Sequence, residues 1–154
     1  MDGIAYSCKD RSERMIIESS GETDNEHTVE DTLKLMEFTS RCLKDEMNQY
    51  LPSSWSTFEK RKVFAIQFVS NKITLLATKH TGKNKWSFIV QRSAIIPRDW
   101  DDRFYWVEVI ELLMKLRELL IEQEEVTLEL KQQKVGLIKV KPNDTIRYNI
   151  NDIQ

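Results

Sequence analysis

Residues 62–69 (KVFAIQFV) constrain the fold of this chain most, because they form an almost uninterrupted apolar run rich in β-forming residues. A run of this length and composition predicts a strand in the middle of a sheet, with both of its faces covered. Polar turns separate it from two further strands, which we expect at 73–78 and 86–96. Together the three segments predict an antiparallel meander.

A helical pattern precedes this strand. Apolar residues recur at helical spacing over about residues 28–50, and Pro52 marks the end of the predicted helix. Residues 15–17 predict a strand before that helix, and residues 3–6 a hairpin partner for it. A helix between two strands is typical of a crossover that joins parallel strands. The apolar positions of the helix are Val29, Leu33, Leu35, Met36, Cys42, Leu43 and Met47.

A second, longer helix is predicted over about residues 103–133. Its first half is apolar on most sides, which indicates burial, and its second half is highly charged. Residues 137–140 predict a short final strand, and residues 141–154 a weakly ordered tail. We therefore expect one α+β (mixed α/β) domain over residues 1–140, with a single mixed sheet of about five strands.

Composition excludes several classes of protein. The 154 residues are enough for one domain with a real core, and a formal net charge of -2 argues against a tail that coats nucleic acid. No apolar run approaches the roughly 18 residues of a membrane span, and the first residues lack the pattern of a secretion signal. We expect an intracellular protein, cytoplasmic or nuclear, with no membrane partner.

Cysteine and histidine are too scarce for the common sites built from them. Cys8 and Cys42 make neither a disulfide framework nor a zinc site, and Cys42 is expected in the core. His27 and His80 are expected to be exposed loop residues. The four glycines are isolated, so there is no phosphate-binding loop.

Two carboxylates stand where the predicted hairpin would bring its ends together. Asp2 lies beside the first strand and Glu18 ends the second. Mg²⁺ is held in proteins by one or two carboxylates and several waters, and such an ion activates water for phosphodiester cleavage. Lys34, on the following helix, would approach the same edge. The alternative is a chance pair, since the chain has 25 acidic residues.

Two segments of this region carry a family resemblance. Residues 15–21 (MIIESSG) and 30–35 (EDTLKL) resemble the core of the restriction-endonuclease-like, PD-(D/E)XK superfamily, and more closely a group of uncharacterised mucoromycete fungal proteins of that type. Similar segments follow at 62–67, 92–97 and 100–116. The resemblance covers about residues 1–140 in order.

The resemblance implies roles for individual residues. Asp2 and Glu18 would be the ligands of Mg²⁺ or Mn²⁺, and Ser20 stands where the motif has its lysine. Lys34 is the candidate for a lysine relocated to the helix, and Gln67 for a further catalytic residue. The alternative for Gln67 is an edge or core glutamine with satisfied hydrogen bonds. The superfamily's helix and strand before the Asp position have no counterpart here, so we expect a domain that is incomplete at its N-terminus.

These departures favour a degenerate nuclease-fold domain without catalysis or cofactor, which acts as a binding or interaction module. One alternative is a metal-dependent (Mg/Mn) nuclease. The other is a helical protein that associates with itself or with a partner through the last helix, unless the same stripe packs on its own sheet. The residues of that stripe are Leu116, Leu119, Leu120, Val126, Leu128 and Leu130.

A basic turn offers a further site. Lys83, Lys85 and Trp86 lie together where the second and third strands of the meander meet. Lysines bind phosphates and an aromatic ring stacks on a base, so this turn is a candidate contact for nucleic acid. The alternative is a solvated hairpin whose charges protect a sheet edge from aggregation.

Overall fold

The computed structural model describes residues 2–6, 13–20, 25–82 and 85–151. Five strands and four α-helices account for most of them, with 3₁₀ turns at Arg103–Tyr105 and Pro142–Asp144. The strands are β1 (Gly3–Tyr6), β2 (Glu13–Ser20), β3 (Lys62–Val69), β4 (Lys72–Gly82) and β5 (Lys85–Ile95). The helices are α1 (Asn25–Gln49), α2 (Trp55–Phe58), α3 (Trp106–Lys134) and α4 (Ile146–Asn151).

The strands form one mixed sheet in the order β1-β2-β3-β4-β5. β2 and β3 run parallel, joined through α1, and the other neighbouring pairs are antiparallel. This confirms the predicted fold class, with its hairpin, crossover helix, meander and long C-terminal helix. β3 is the middle strand, as its apolar sequence predicts.

The two faces of β3 are buried by different helices, because successive side chains of a strand point to opposite faces. On one face lies α3, and on the other α1, so the sheet is covered on both sides. The α3-side cluster contains Phe64, Ile66, Ile73, Leu75, Ala77, Ala94, Val109, Leu112, Leu116 and Leu119. The α1-side cluster contains Ile16, Leu35, Cys42, Leu43, Val63, Ala65 and Leu76.

The apolar stripe of α1 is buried only in part. Leu35, Cys42, Leu43 and Met47 are in the core, which confirms the prediction for Cys42. The apolar residues nearest the start of the helix are instead exposed. These are Val29, Leu33 and Met36.

The first half of the long helix α3 is buried on one side only. Val109 and Leu112 pack on the sheet, whereas Trp106, Val107 and Ile110 are exposed. Expecting burial throughout this half was therefore wrong, since a helix on a flat sheet buries only the side that touches it. In the part of the chain that the structure describes, no helix has the length and apolar character to cross a membrane.

The chain after α3 differs from the sequence prediction. Gly136, at φ 81°, ends the helix region as expected, but residues 137–140 form no strand. Residues 142–151, expected within a weakly ordered tail, form the 3₁₀ turn and α4. Ile146 is fully buried, and its N–H donates to the carbonyl of Ser53 at 2.9 Å. This apolar contact and backbone pairing order the segment. Residues 152–154 lie outside the described part.

A buried ion pair ties α1 and α3 to the start of β3. The guanidinium of Arg61 donates through two nitrogens to the carboxylate of Glu46. A third nitrogen donates to Thr127 Oγ1 at 3.1 Å. The neighbouring N–H of Lys62 donates to Gln123 Oε1 at 2.8 Å. This network fixes where β3 enters the sheet.

Candidate functional site

The candidate site lies at the end of the two parallel strands. The register of β2 and β3 pairs Glu18 with Gln67, and both residues are buried. Strand alternation places Glu18 on the same face as Ile16, which packs in the α1-side cluster. Glu18 and Gln67 therefore lie side by side beneath the first half of α1, as the hairpin and crossover predict.

Gln67 has a hydrogen-bond partner on that helix. Its side-chain nitrogen Nε2 donates to Thr32 Oγ1 at 2.9 Å. The residue is thus a core glutamine with a satisfied amide, and it also neighbours the predicted metal ligand Glu18. This environment agrees with the interpretation of Gln67 as a core residue, and its catalytic role stays a prediction.

Lys34 also reaches this site. A cavity of about 240 Å³ between β2 and α1 is lined by Glu18 and Lys34, with Glu37 and Arg41 further along the helix. Lys34 Nζ lies 2.9 Å from Asp31 Oδ1. That hydrogen bond and the charge of Asp31, with the more distant charges of Glu18 and Glu30, raise the pKa of Lys34 above its ordinary value.

Asp31 is the site residue that the sequence reasoning missed. It is only 9% exposed, and from the sequence we assign it no role in the site. The available signal was its position three residues before Lys34, since side chains at that spacing are neighbours on a helix. An ion pair between the two residues was therefore predictable.

Asp2 lies at the same end of the sheet. Its backbone N–H donates to the carbonyl of Ile17 at 3.1 Å, and its Oδ2 accepts the N–H of Ser19 at 2.6 Å. The partners of the two bonds, Ile17 and Ser19, are the residues on either side of Glu18, so the bonds hold Asp2 beside Glu18. The hairpin thus brings Asp2 and Glu18 to one strand end, while the side chain of Asp2 is already engaged with the backbone of β2.

Few side chains at this strand end could act as ligands of a metal ion. Over residues 2–6, 13–20, 25–82 and 85–151, no three His, Cys, Asp or Glu side chains are grouped so that they could hold one ion. Mg²⁺ needs only one or two carboxylates when waters complete its shell. Asp2 and Glu18 fit that minimal requirement, and their role as ligands stays a prediction.

The basic turn is only partly described. Lys83 lies outside the described residues, and Lys85 is exposed at the start of β5. The ring of Trp86 is half-buried: its centroid lies 4.9 Å from that of His80, and Lys44 Nζ lies 5.9 Å from it. A base that stacked on Trp86 would have to share the ring with these neighbours.

His80 is buried, so its assignment as an exposed loop residue was wrong. Its ring meets Trp55 and Trp86 edge-on, with both centroid distances 4.9 Å, and its Nδ1 accepts the N–H of Gly82. Burial lowers the pKa of His80, with the charge of Glu59 acting in the opposite direction. Burial thus favours the neutral form of this ring, which belongs to an aromatic cluster with Trp55 and Trp86.

Comparison with known proteins identifies no relative for this chain: no family model, curated protein or solved structure matches it.

Proposed function

We propose that this chain is a nuclease-like domain that has no catalytic activity and acts as a protein-interaction module. The topology supports the nuclease-like part. A hairpin with Asp2 and Glu18 at one end, a crossover helix and a parallel third strand are what the PD-(D/E)XK resemblance implies. Gln67 then stands beside the motif acid on that third strand.

The ion pair between Lys34 and Asp31 is the observation that carries the absence of catalysis. Ser20 replaces the motif lysine, so Lys34 would have to act on the attacking water. The motif lysine acts as a cation that stabilises the negative charge developing on the phosphate, so its charge has to face the substrate. The ammonium group of Lys34 is instead bound to a carboxylate of its own helix, at 2.9 Å, which partly neutralises that charge.

The engagement of Asp2 supports the same conclusion. Its carboxylate accepts the N–H of Ser19, so a metal ion would compete with a backbone donor for Oδ2. Glu18 lies beside the amide of Gln67, whose nitrogen is held by Thr32. The polar groups at this strand end thus serve the docking of β1 and α1 on the sheet.

The interaction role rests on the surface. Several large apolar side chains are more than 40% exposed, and many lie on α3 and the segment leading into it. Exposed apolar surface of this extent is typical of protein-binding sites. The residues are Trp100, Phe104, Tyr105, Trp106, Val107, Ile110, Leu113, Met114, Ile121 and Leu128.

A cleavage assay tests the absence of catalysis. Purified protein is incubated with plasmid and with single-stranded DNA in the presence of Mn²⁺, beside the double variant Asp2→Ala, Glu18→Ala. We expect equal, background cleavage from both proteins. Cleavage by the wild type that the double variant lacks would overturn the proposal in favour of a metal-dependent nuclease.

Calorimetric titration with Mn²⁺ provides a second readout. We expect no binding that depends on the carboxylate of Glu18, so the wild type and Glu18→Gln should give the same heats. Glu37→Gln is the matched control, because Glu37 lines the same cavity from α1 and is exposed. Millimolar or tighter binding that only Glu18→Gln abolishes would contradict the proposal.

A further inference from the structure

The side of α3 that faces away from the sheet carries exposed apolar residues from its first turn to Leu128. We call it the outer face of α3. Its apolar members are each 47–66% exposed. Four of them recur every seven residues, the spacing that keeps side chains in one row along a helix that packs on another helix. The apolar members are Trp106, Val107, Ile110, Leu113, Met114, Ile121 and Leu128, and the row of four is Val107, Met114, Ile121 and Leu128.

This face differs from the stripe that the sequence suggested for association. Leu116, Leu119, Val126 and Leu130 of that stripe are buried in the domain's own clusters. Leu128 alone belongs to both sets, and it is 59% exposed. The helix therefore packs on its own sheet with one side and leaves a second apolar side uncovered.

The exposed area suits a stable protein interface. Side chains of this size at these exposures leave on the order of 700 Å² uncovered, close to the roughly 800 Å² that each partner buries in a standard interface. The helix has 29 residues, which corresponds to about 43 Å. That length allows a continuous helix-to-helix contact.

The charges within the outer face indicate which partner fits it. The exposed charges beside the row of four, near the middle of the helix, are Arg117, Glu118, Glu124 and Glu125. Two copies of α3 that cross antiparallel, with the two-fold axis between Leu120 and Ile121, bring Arg117 of each copy opposite Glu124 of the other. A parallel pair would instead place Arg117 against Arg117 and Glu124 against Glu124, which is repulsive.

We propose that a second copy of this chain covers the outer face of α3, in an antiparallel two-fold contact. The same axis sets Leu113 of one copy opposite Leu128 of the other, and it places the Ile121 side chains of both copies beside the axis. A two-fold interface requires such a self-complementary surface. The inference names the partner for the interaction role proposed above and in that sense rests on it.

Charge reversal tests the contact without touching the core. Sedimentation equilibrium of the full chain should show a dimer with a dissociation constant in the micromolar range or below. Arg117→Glu and Glu124→Arg should each weaken the dimer about tenfold or more, because each sets like charges opposite one another twice. The double variant Arg117→Glu, Glu124→Arg restores opposite charges and should recover the affinity of the wild type.

Two further variants serve as controls for the charge reversals. Asp45→Arg makes the same charge change as Glu124→Arg at an exposed position on α1 and should leave the dimer unchanged. Ile121→Asp, at the axis, should give a monomer whose thermal unfolding matches that of dissociated wild type. A wild type that stays monomeric at high micromolar concentration overturns the inference. A dimer whose dissociation constant is unchanged by the charge reversals overturns it as well.

These outcomes separate the dimer from the wider proposal. A monomeric protein without nuclease activity would remove the self-association alone. Metal-dependent cleavage that requires Asp2 and Glu18 would remove the proposed loss of catalysis, whatever the oligomeric state.

Discussion

Replacing Glu46 by glutamine should destabilise the fold strongly, because it leaves the charge of Arg61 buried beside a neutral partner. Arg61 is 2% exposed and Glu46 is 6% exposed, so water cannot solvate the guanidinium in place of the lost carboxylate. Breaking a buried pair by removing one charge costs about 3–5 kcal/mol. Glutamine keeps the shape and one acceptor oxygen, so we expect the lower end of that range, about 3 kcal/mol.

Urea unfolding followed by tryptophan fluorescence measures this loss. Glu37→Gln is the matched control: it makes the same chemical change on the same helix, where the side chain is 73% exposed and pairs with Arg41. Exposed pairs contribute little, so the control should change the free energy of unfolding by at most about 0.5 kcal/mol. In thermal unfolding, Glu46→Gln should lower Tm by roughly 6–12 °C for a chain of this size.

Removing both charges separates the cost of an unpaired charge from the value of the pair. The double variant Glu46→Met, Arg61→Met fills the same space with apolar atoms and should be more stable than Glu46→Gln alone. The reasoning is refuted if Glu46→Gln lies within about 1 kcal/mol of Glu37→Gln, since a buried unpaired charge should cost several times more.

Three further predictions concern the aromatic cluster, the C-terminal segment and the candidate site. Because burial lowers the folded-state pKa of His80, the unfolded chain takes up its proton first. The stability contributed by neutral His80 should therefore be present above about pH 6.5 and be lost as the pH falls, with a slope of at most about 1.4 kcal/mol per pH unit. Urea midpoints at pH 7.5 and 5.5 should differ less in His80→Phe than in the wild type, and equal differences would contradict this. Ile146→Ala should cost about 2–5 kcal/mol in urea unfolding, since the side chain is fully buried, and a neutral result would mean that the segment contributes nothing to the core. Asp31→Asn should lower the pKa of Lys34 in an NMR titration of its side chain, and an unchanged pKa would rule out Asp31 as the cause of the upward shift.

The order and type of the main elements follow from the sequence because they depend on local patterns. The continuous apolar run of 62–69 identified the middle strand, and the helical spacing over 28–50 identified the crossover helix. Since a helix between two strands favours parallel pairing, the direction of β3 against β2 followed as well.

Part of the candidate site was also predictable. Strand ends meet across a hairpin and across a parallel pair, so Asp2, Glu18 and Gln67 could be placed together from topology alone. The partners of these groups could not be assigned. That Lys34 pairs with Asp31, and that Thr32 receives the amide of Gln67, depends on how α1 is rotated above the sheet.

The tertiary structure alone decided which apolar residues are buried. Both sides of α3 carry apolar residues at helical spacing, and periodicity does not say which side meets the sheet. Residues 137–140 have a strand-like sequence but no strand partner, whereas Ile146 is buried by a surface built from distant segments. Spacing along the chain sets the type of element, because backbone geometry is local. Burial and charge pairing depend on surfaces that exist only once those elements have packed together.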